Sequence, residues 1–92
     1  MEKKFPFEDE PNTATFVCSH VLNGERPILY VSHDEDGYWQ FLCGGQHTEE
    51  DAKIVSLMKA FQLDESVGEL AAMDYGKTAE RESPEDGWRI RP

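Results

Sequence analysis

Apolar and polar residues alternate in three stretches of the first half of the chain, which predicts three β-strands. Residues 13–20 are rich in β-branched and aromatic side chains and form the first predicted strand. Residues 27–32 and 38–43 form the next two, joined by an acidic turn at residues 33–37 that contains a glycine. Two strands around such a turn predict a β-hairpin. Alternate positions of the return strand are apolar, which predicts a core-facing side made of Trp39, Phe41 and Cys43.

The pattern changes to a helical repeat in the second half of the chain. A helix is predicted over Thr48–Leu63, with Thr48 as its N-cap and acidic residues in its first turn. One face of this helix carries apolar residues at helical spacing, namely Ile54, Leu57, Met58 and Phe61. Asp64 is the predicted N-cap of a shorter second helix. A last short strand is predicted over residues 88–90, with Trp88 and Ile90 facing inward.

Strands and helices are thus segregated along the chain, which indicates the α+β class. We expect a small antiparallel sheet of about four strands with two helices packed on one face. With 92 residues in all, the chain suits one domain, which we place at residues 13–92. Residues 1–12, where two prolines bracket an acidic run, are predicted to form a flexible N-terminal arm.

Charge narrows the range of partners. The chain has 19 Asp+Glu against 9 Lys+Arg, a formal net charge of −10. Binding to nucleic acid depends on Lys and Arg side chains that neutralise phosphates, so we expect no nucleic-acid partner. An acidic surface instead suits a basic protein partner.

The apolar runs of the chain are all short. None approaches the ~18 residues that span a bilayer, so we expect no membrane partner. The N-terminus has no apolar signal-peptide core, which leads us to expect a cytoplasmic protein. In a reducing compartment Cys18 and Cys43 are expected to be free thiols.

Two cysteines and two histidines are the residues most suited to chemistry. Cys18, His20, Cys43 and His47 would complete a tetrahedral zinc set, with Cys18 and His20 expected on one strand face. Their spacing matches no common zinc-finger pattern, and buried cysteines often serve as small apolar residues. A Cys–His nucleophilic pair would need a further orienting residue that the sequence does not indicate. We therefore expect no catalytic residues and no cofactor, with these four residues as an alternative metal site.

Two further residue patterns admit a structural and a functional interpretation. The acidic turn fails as an EF-hand loop, because Cys43 falls where a bidentate Glu is required. Arg81 is expected either to fix the neighbouring acidic loop through a carboxylate or an aromatic ring, or to be an ordinary surface arginine.

Four short motifs together resemble a family of small bacterial proteins. They occupy residues 17–22, 36–44, 76–81 and 87–88, and include Asp-Gly-Tyr-Trp-Gln-Phe and Gly-Lys-Thr-Ala-Glu-Arg. In this arrangement the chain resembles the predicted immunity proteins of polymorphic toxin systems (immunity protein thirty-three type). The resemblance implies no catalytic residues and no cofactor, and it suggests a toxin-neutralising role.

The function expected from these observations is non-enzymatic protein binding, in its concrete form the neutralisation of a toxin. We expect the partner to be basic and to contact the hairpin turn through the exposed residues Asp34, Glu35, Asp36 and Tyr38. The alternative is a small metal-binding or thiol-dependent domain that uses the cysteine and histidine residues named above.

Overall fold

The computed structural model describes residues 5–45 and 51–91, and these contain six strands and three short helices. The strands are β1 (Ala14–Cys18), β2 (Tyr30–His33), β3 (Trp39–Leu42), β4 (Ala52–Ser56), β5 (Lys77–Glu80) and β6 (Arg89–Arg91). The helices are α1 (Ser19–Leu22), α2 (Leu57–Leu63) and a 3-10 helix (Glu65–Leu70). A small domain with strands and helices in this order is compatible with the α+β class.

All six strands belong to one mixed sheet in the order β4-β1-β3-β2-β5-β6. The prediction of about four antiparallel strands is corrected here, because β1 and β3 are parallel neighbours and two more strands extend the sheet. The parallel pair arises from the route of the chain. After β1 the chain passes through α1 to β2, and the hairpin then inserts β3 between β1 and β2.

The predicted hairpin is confirmed. β2 and β3 pair in antiparallel register, with Val31 opposite Phe41. The Asp34 side chain stabilises the turn, because its Oδ1 accepts hydrogen bonds from the backbone N–H groups of Asp36 (3.0 Å) and Tyr38 (2.9 Å). Gly37 adopts φ 94°, a conformation that glycine reaches without strain.

The long helix predicted over Thr48–Leu63 is wrong at residues 52–56. Residues 52–56 form β4, which pairs with β1 along five positions, and Ile54 is 68% exposed instead of buried. Pairing with a free sheet edge outweighs the local helical periodicity at these positions. The helix begins only at Leu57, where Ser56 Oγ accepts a hydrogen bond from the Lys59 backbone N–H (3.1 Å). The predicted cap Thr48 lies outside the described residues.

The second predicted helix is confirmed in position but is a 3-10 helix. Asp64 Oδ1 accepts a hydrogen bond from the Ser66 backbone N–H (2.9 Å), as expected for an N-cap. The final strand is confirmed as β6, yet Ile90, which pairs with the buried Ala79, is 52% exposed instead of buried. β5, which pairs with both β2 and β6, was not predicted.

The core lies between one face of the sheet and the two helices after β4. The buried residues include Trp39, Phe41 and Cys43, as the strand pattern predicted. From the helices, the core receives Leu57, Ala60, Phe61, Val67 and Leu70.

Part of the segment predicted as an N-terminal arm contributes to this core. Phe7 is buried and its ring lies 5.1 Å from that of Trp39, edge to face. The backbone N–H groups of Leu57 and Met58 donate to the carbonyls of Thr13 (2.7 Å) and Pro11 (2.9 Å). The start of α2 is therefore attached to the residues that precede β1.

The helices of the two described ranges are short, and none of them has the length and apolar character needed to cross a bilayer.

Candidate functional site

A cluster of three metal-ligating side chains lies where β1 and β3 end. Cys18 is the last residue of β1, His20 lies in α1, and Cys43 follows the last residue of β3. Because β1 and β3 are parallel neighbours, their C-terminal ends lie at the same end of the sheet, which brings the two cysteines together. We call these three residues the Cys/His cluster.

The ligand atoms of the Cys/His cluster all lie within 4.8 Å of one another. Cys43 Sγ is 3.8 Å from His20 Nδ1. Both cysteines are buried free thiols, as predicted, while the imidazole of His20 is partly exposed. The cluster is therefore enclosed on the sulfur side and open to solvent beside the histidine.

The sequence placed His20 and Cys18 on one strand face, and the structure corrects this. β1 ends at Cys18, and His20 comes back toward the sulfur atoms because Ser19–Leu22 turns as a helix. The fourth residue of the predicted set, His47, lies outside the described residues.

Burial sets the protonation of Cys18. Desolvation raises the pKa of its thiol above the ordinary value, because the charged thiolate is disfavoured away from water. Hydrogen bonds from the backbone N–H groups of Val21 and Cys43 oppose this shift, since they favour the thiolate and so lower the pKa. The thiol form dominates at neutral pH, while donors that could support a thiolate are already in place.

The hairpin residues predicted to meet a partner do not share one role. Asp34 is partly buried and its carboxylate holds the turn, whereas Glu35 and Asp36 are exposed. Tyr38 is half exposed and packs against Phe16, with ring centroids 6.3 Å apart. Only Glu35 and Asp36 therefore present carboxylates that are not engaged in the turn itself.

A second acidic segment lies beside this turn. The backbone N–H of Gly76 donates to the carbonyl of His33 (2.7 Å), and a Cβ built on Gly76 would lie 3.4 Å from Glu35 Cγ. This contact brings Glu35 close to Asp74 and Tyr75, the two exposed residues that precede Gly76.

Asp74 and Tyr75 line a depression of about 300 Å³ together with Glu8, Asp9 and His33. We call this feature, with Glu35 at its side, the acidic depression. Its carboxylates come from three separate segments of the chain. This assembly could not be predicted from the sequence, because it depends on the unpredicted strand β5 and on the packing of residues 5–9.

His33 forms the buried part of the acidic depression. Its Nδ1–H donates to the carbonyl of Met73 (2.9 Å), and its ring stacks on Trp39 with centroids 3.8 Å apart. The rings of Tyr75 and His33 are perpendicular, with their centroids 4.7 Å apart. His33 Nε2 is buried without a hydrogen-bond partner among the described residues. These contacts fix the His33 ring among the residues that line the acidic depression.

Arg81 resolves the alternatives left open by the sequence in favour of a structural role. Its side chain is 2% exposed and Nη2 lies 2.7 Å from Asp64 Oδ2. Its guanidinium also stacks over Trp88, at 4.1 Å from the ring centroid. Arg81 therefore fixes the loop after β5 against the N-cap of the 3-10 helix.

Comparison of the chain with protein-family models, with curated proteins and with solved structures found no match.

Proposed function

We propose that the protein is a non-enzymatic binding module that binds a basic protein at the acidic depression. The observation that carries the proposal is that Glu8, Asp9 and Asp74 line one depression with the exposed Tyr75, while Glu35 lies beside the adjoining Gly76. A cationic side chain placed there would meet carboxylates from several directions, as electrostatic complementarity requires.

The electrostatics of the depression favour a cation. Glu8, Glu35 and Asp74 are exposed, and Asp9 is partly buried. Lys77 approaches Asp74 at 4.0 Å, a long contact between two well-exposed groups that contributes little to stability. Such a weak contact leaves the Asp74 carboxylate free to exchange Lys77 for a partner's cation.

Tyr75 supplies the apolar part of the interface. Its ring is 67% exposed, and its orientation is fixed by the edge contact with His33. Tyrosine is enriched at interfaces because it buries a large area at a small cost in conformational entropy. The face of such a ring also attracts a guanidinium or ammonium group. An arginine-containing segment of the partner fits both the ring and the carboxylates.

The sequence resemblance supplies the concrete form of the proposal, in which the basic partner is a toxin and binding neutralises it. The acidic depression suits this role because an acidic surface is complementary to a basic one, so it can cover the basic surface of a toxin.

The test compares two doubly neutralised variants that lose the same charge. Glu35→Gln with Asp74→Asn alters the acidic depression, while Glu85→Gln with Asp86→Asn alters an exposed loop at the other end of β5. A basic protein captured by the wild-type chain is measured for association rate with each variant at about 0.15 M salt. We expect the first variant to associate about 3-fold or more slowly and the second to match the wild type.

Equal association rates for the wild type and the Glu35/Asp74 variant would refute the acidic depression as the binding surface. So would a captured partner that is itself acidic. The melting temperatures of both variants should stay close to that of the wild type, because exposed charges contribute little to stability.

A further inference from the structure

The Cys/His cluster lies at the opposite end of β3 from the hairpin turn and has no part in the proposed binding surface. We propose that Cys18, His20 and Cys43 bind one thiophilic divalent cation, Zn²⁺, through two sulfur atoms and one imidazole nitrogen. The proposal rests on the position of the ligand atoms, on their burial and on the charge balance of the resulting site.

The geometry is close to that of a tetrahedral zinc site. Zinc–sulfur bonds of about 2.3 Å and zinc–nitrogen bonds of about 2.0 Å place neighbouring sulfur and nitrogen ligands about 3.6 Å apart. The Cys43 Sγ to His20 Nδ1 distance is 3.8 Å, and no pair in the cluster exceeds 4.8 Å. Small rotations of the side chains would bring all three atoms to bonding distance of one ion.

The charge balance suits a buried site. Binding Zn²⁺ to two thiols and one neutral imidazole forms two Zn–S bonds and one Zn–N bond, and releases the two thiol protons to solvent. Two thiolates and one divalent cation sum to zero charge, which limits the cost of burying the ion among apolar residues. Soft sulfur and imidazole donors also select Zn²⁺ over Mg²⁺ or Ca²⁺, which prefer oxygen ligands.

Hydrogen-bond donors surround the sulfur atom of Cys18. Backbone N–H groups of Val21 and Cys43 point to Cys18 Sγ, and such hydrogen bonds orient metal-bound sulfur. Ser19 Oγ, between two ligands in sequence, donates to Asp51 Oδ1 at 3.1 Å and fixes the start of α1. The three ligands from the described residues occupy three of the four positions of a tetrahedral site.

Cobalt substitution gives a direct test. Reduced protein freed of metal by a chelator is titrated with Co²⁺, whose tetrahedral thiolate complexes show intense visible bands and a sulfur-to-cobalt charge-transfer band. We expect these bands to saturate at one Co²⁺ per chain and to disappear when one equivalent of Zn²⁺ is added. Native mass spectrometry should then show one Zn²⁺ bound to the wild-type chain.

Ligand variants assign the site. We expect Cys18→Ala, Cys43→Ala and His20→Gln each to weaken Co²⁺ binding by about 100-fold or more. This exceeds the usual loss of affinity on mutating a residue that only hydrogen-bonds to a metal ligand. Ser19→Ala is the matched control within the same segment and should keep the stoichiometry of one, with at most about a 10-fold loss of affinity. His20 is partly exposed, so the His20→Gln variant is expected to fold and remains informative if a cysteine variant unfolds.

Several results would overturn the proposal. These are a folded, reduced wild-type chain that gives no tetrahedral Co²⁺ spectrum, a His20→Gln variant that binds as tightly as the wild type, or Co²⁺ binding that survives removal of both cysteines. A mass lower by two hydrogens in air, with no metal bound after reduction, would identify a disulfide-forming pair and likewise refute the zinc site.

Discussion

Arg81 joins more separate parts of the chain than a surface arginine would. Its Nε and Nη2 donate to the carbonyl of Ile28 (3.1 and 2.9 Å), and its Nη1 donates to Ser66 Oγ (3.0 Å). Together with the Asp64 ion pair, these bonds use the planar fork that only arginine offers. The residue thus connects the chain before β2 with the 3-10 helix and the loop after β5.

Loss of this guanidinium should be costly. We expect Arg81→Ala to lower the free energy of unfolding by about 3–5 kcal/mol, because it leaves the Ile28 carbonyl and the Asp64 carboxylate without their partner. Urea denaturation would measure the change. Arg91→Ala is a matched control, since Arg91 pairs with Glu80 at 2.9 Å but is well exposed, and it should cost under about 1 kcal/mol. Similar losses for both variants would contradict the structural role of Arg81.

The raised pKa of the Cys18 thiol gives a prediction about pH. Burial raises this pKa in the folded chain, so the unfolded chain loses the thiol proton first as the pH rises. Proton release then favours the unfolded state, and the free energy of unfolding falls above about pH 8.5. Reduced, metal-free wild type should therefore lose more stability between about pH 7 and about pH 9.5 than Cys18→Ala does. Equal losses in urea denaturation would show that Cys18 does not carry the effect.

At the scale of elements, residues 52–61 distinguish a continuous helix from a strand followed by a helix. Ile54 is exposed on β4 at the edge of the sheet, whereas Leu57 is fully buried in α2. We expect Ile54→Ala to change the free energy of unfolding by less than about 0.5 kcal/mol and Leu57→Ala to lower it by about 2–5 kcal/mol. The continuous helix places both residues on one apolar face, and a comparable loss for both variants would restore that interpretation.

Elements stabilised by local interactions could be predicted from the sequence. The hairpin depends on the Asp34–Gly37 turn, and the 3-10 helix depends on its Asp64 cap, both visible within a few residues. Strands β4 and β5 depend on partners far away in sequence, since Phe16 pairs with Ile54 and Val31 with Ala79. Residues 52–56 even carry helical periodicity, which pairing with β1 overrides.

The candidate sites show the same division. Cys18, His20 and Cys43 could be selected by residue type, but their convergence requires the parallel pairing of β1 and β3, which an antiparallel prediction excludes. Glu35 could likewise be identified on an exposed turn. Asp74 and Tyr75 could not, because their approach to the turn depends on β5 pairing with β2. Residue chemistry indicated candidates, and only the long-range topology grouped them.

The whole molecule is about as wide as the reach of its own electric field at low salt. Its principal extents are 29 × 29 × 26 Å, and its net charge of −10 comes from acidic residues spread along the chain. The Debye length is about 8 Å at 0.15 M salt and about 30 Å at 0.01 M. The association rates of the two doubly neutralised variants, relative to each other, should therefore differ between the two salt concentrations.

The acidic depression and the Glu85–Asp86 loop lie at opposite ends of β5, roughly 15 Å apart if the chain rises about 3.3 Å per residue. At about 0.15 M salt this separation exceeds the Debye length, so only the Glu35/Asp74 variant should slow association with a basic partner. At about 0.01 M salt an approaching cation senses the whole molecule, and both variants should slow association by similar factors. Stopped-flow association rates for the two variants at both salt concentrations would measure this. If the ratio of the two rates did not change with salt, screening would not be what separates the effects of the two loops.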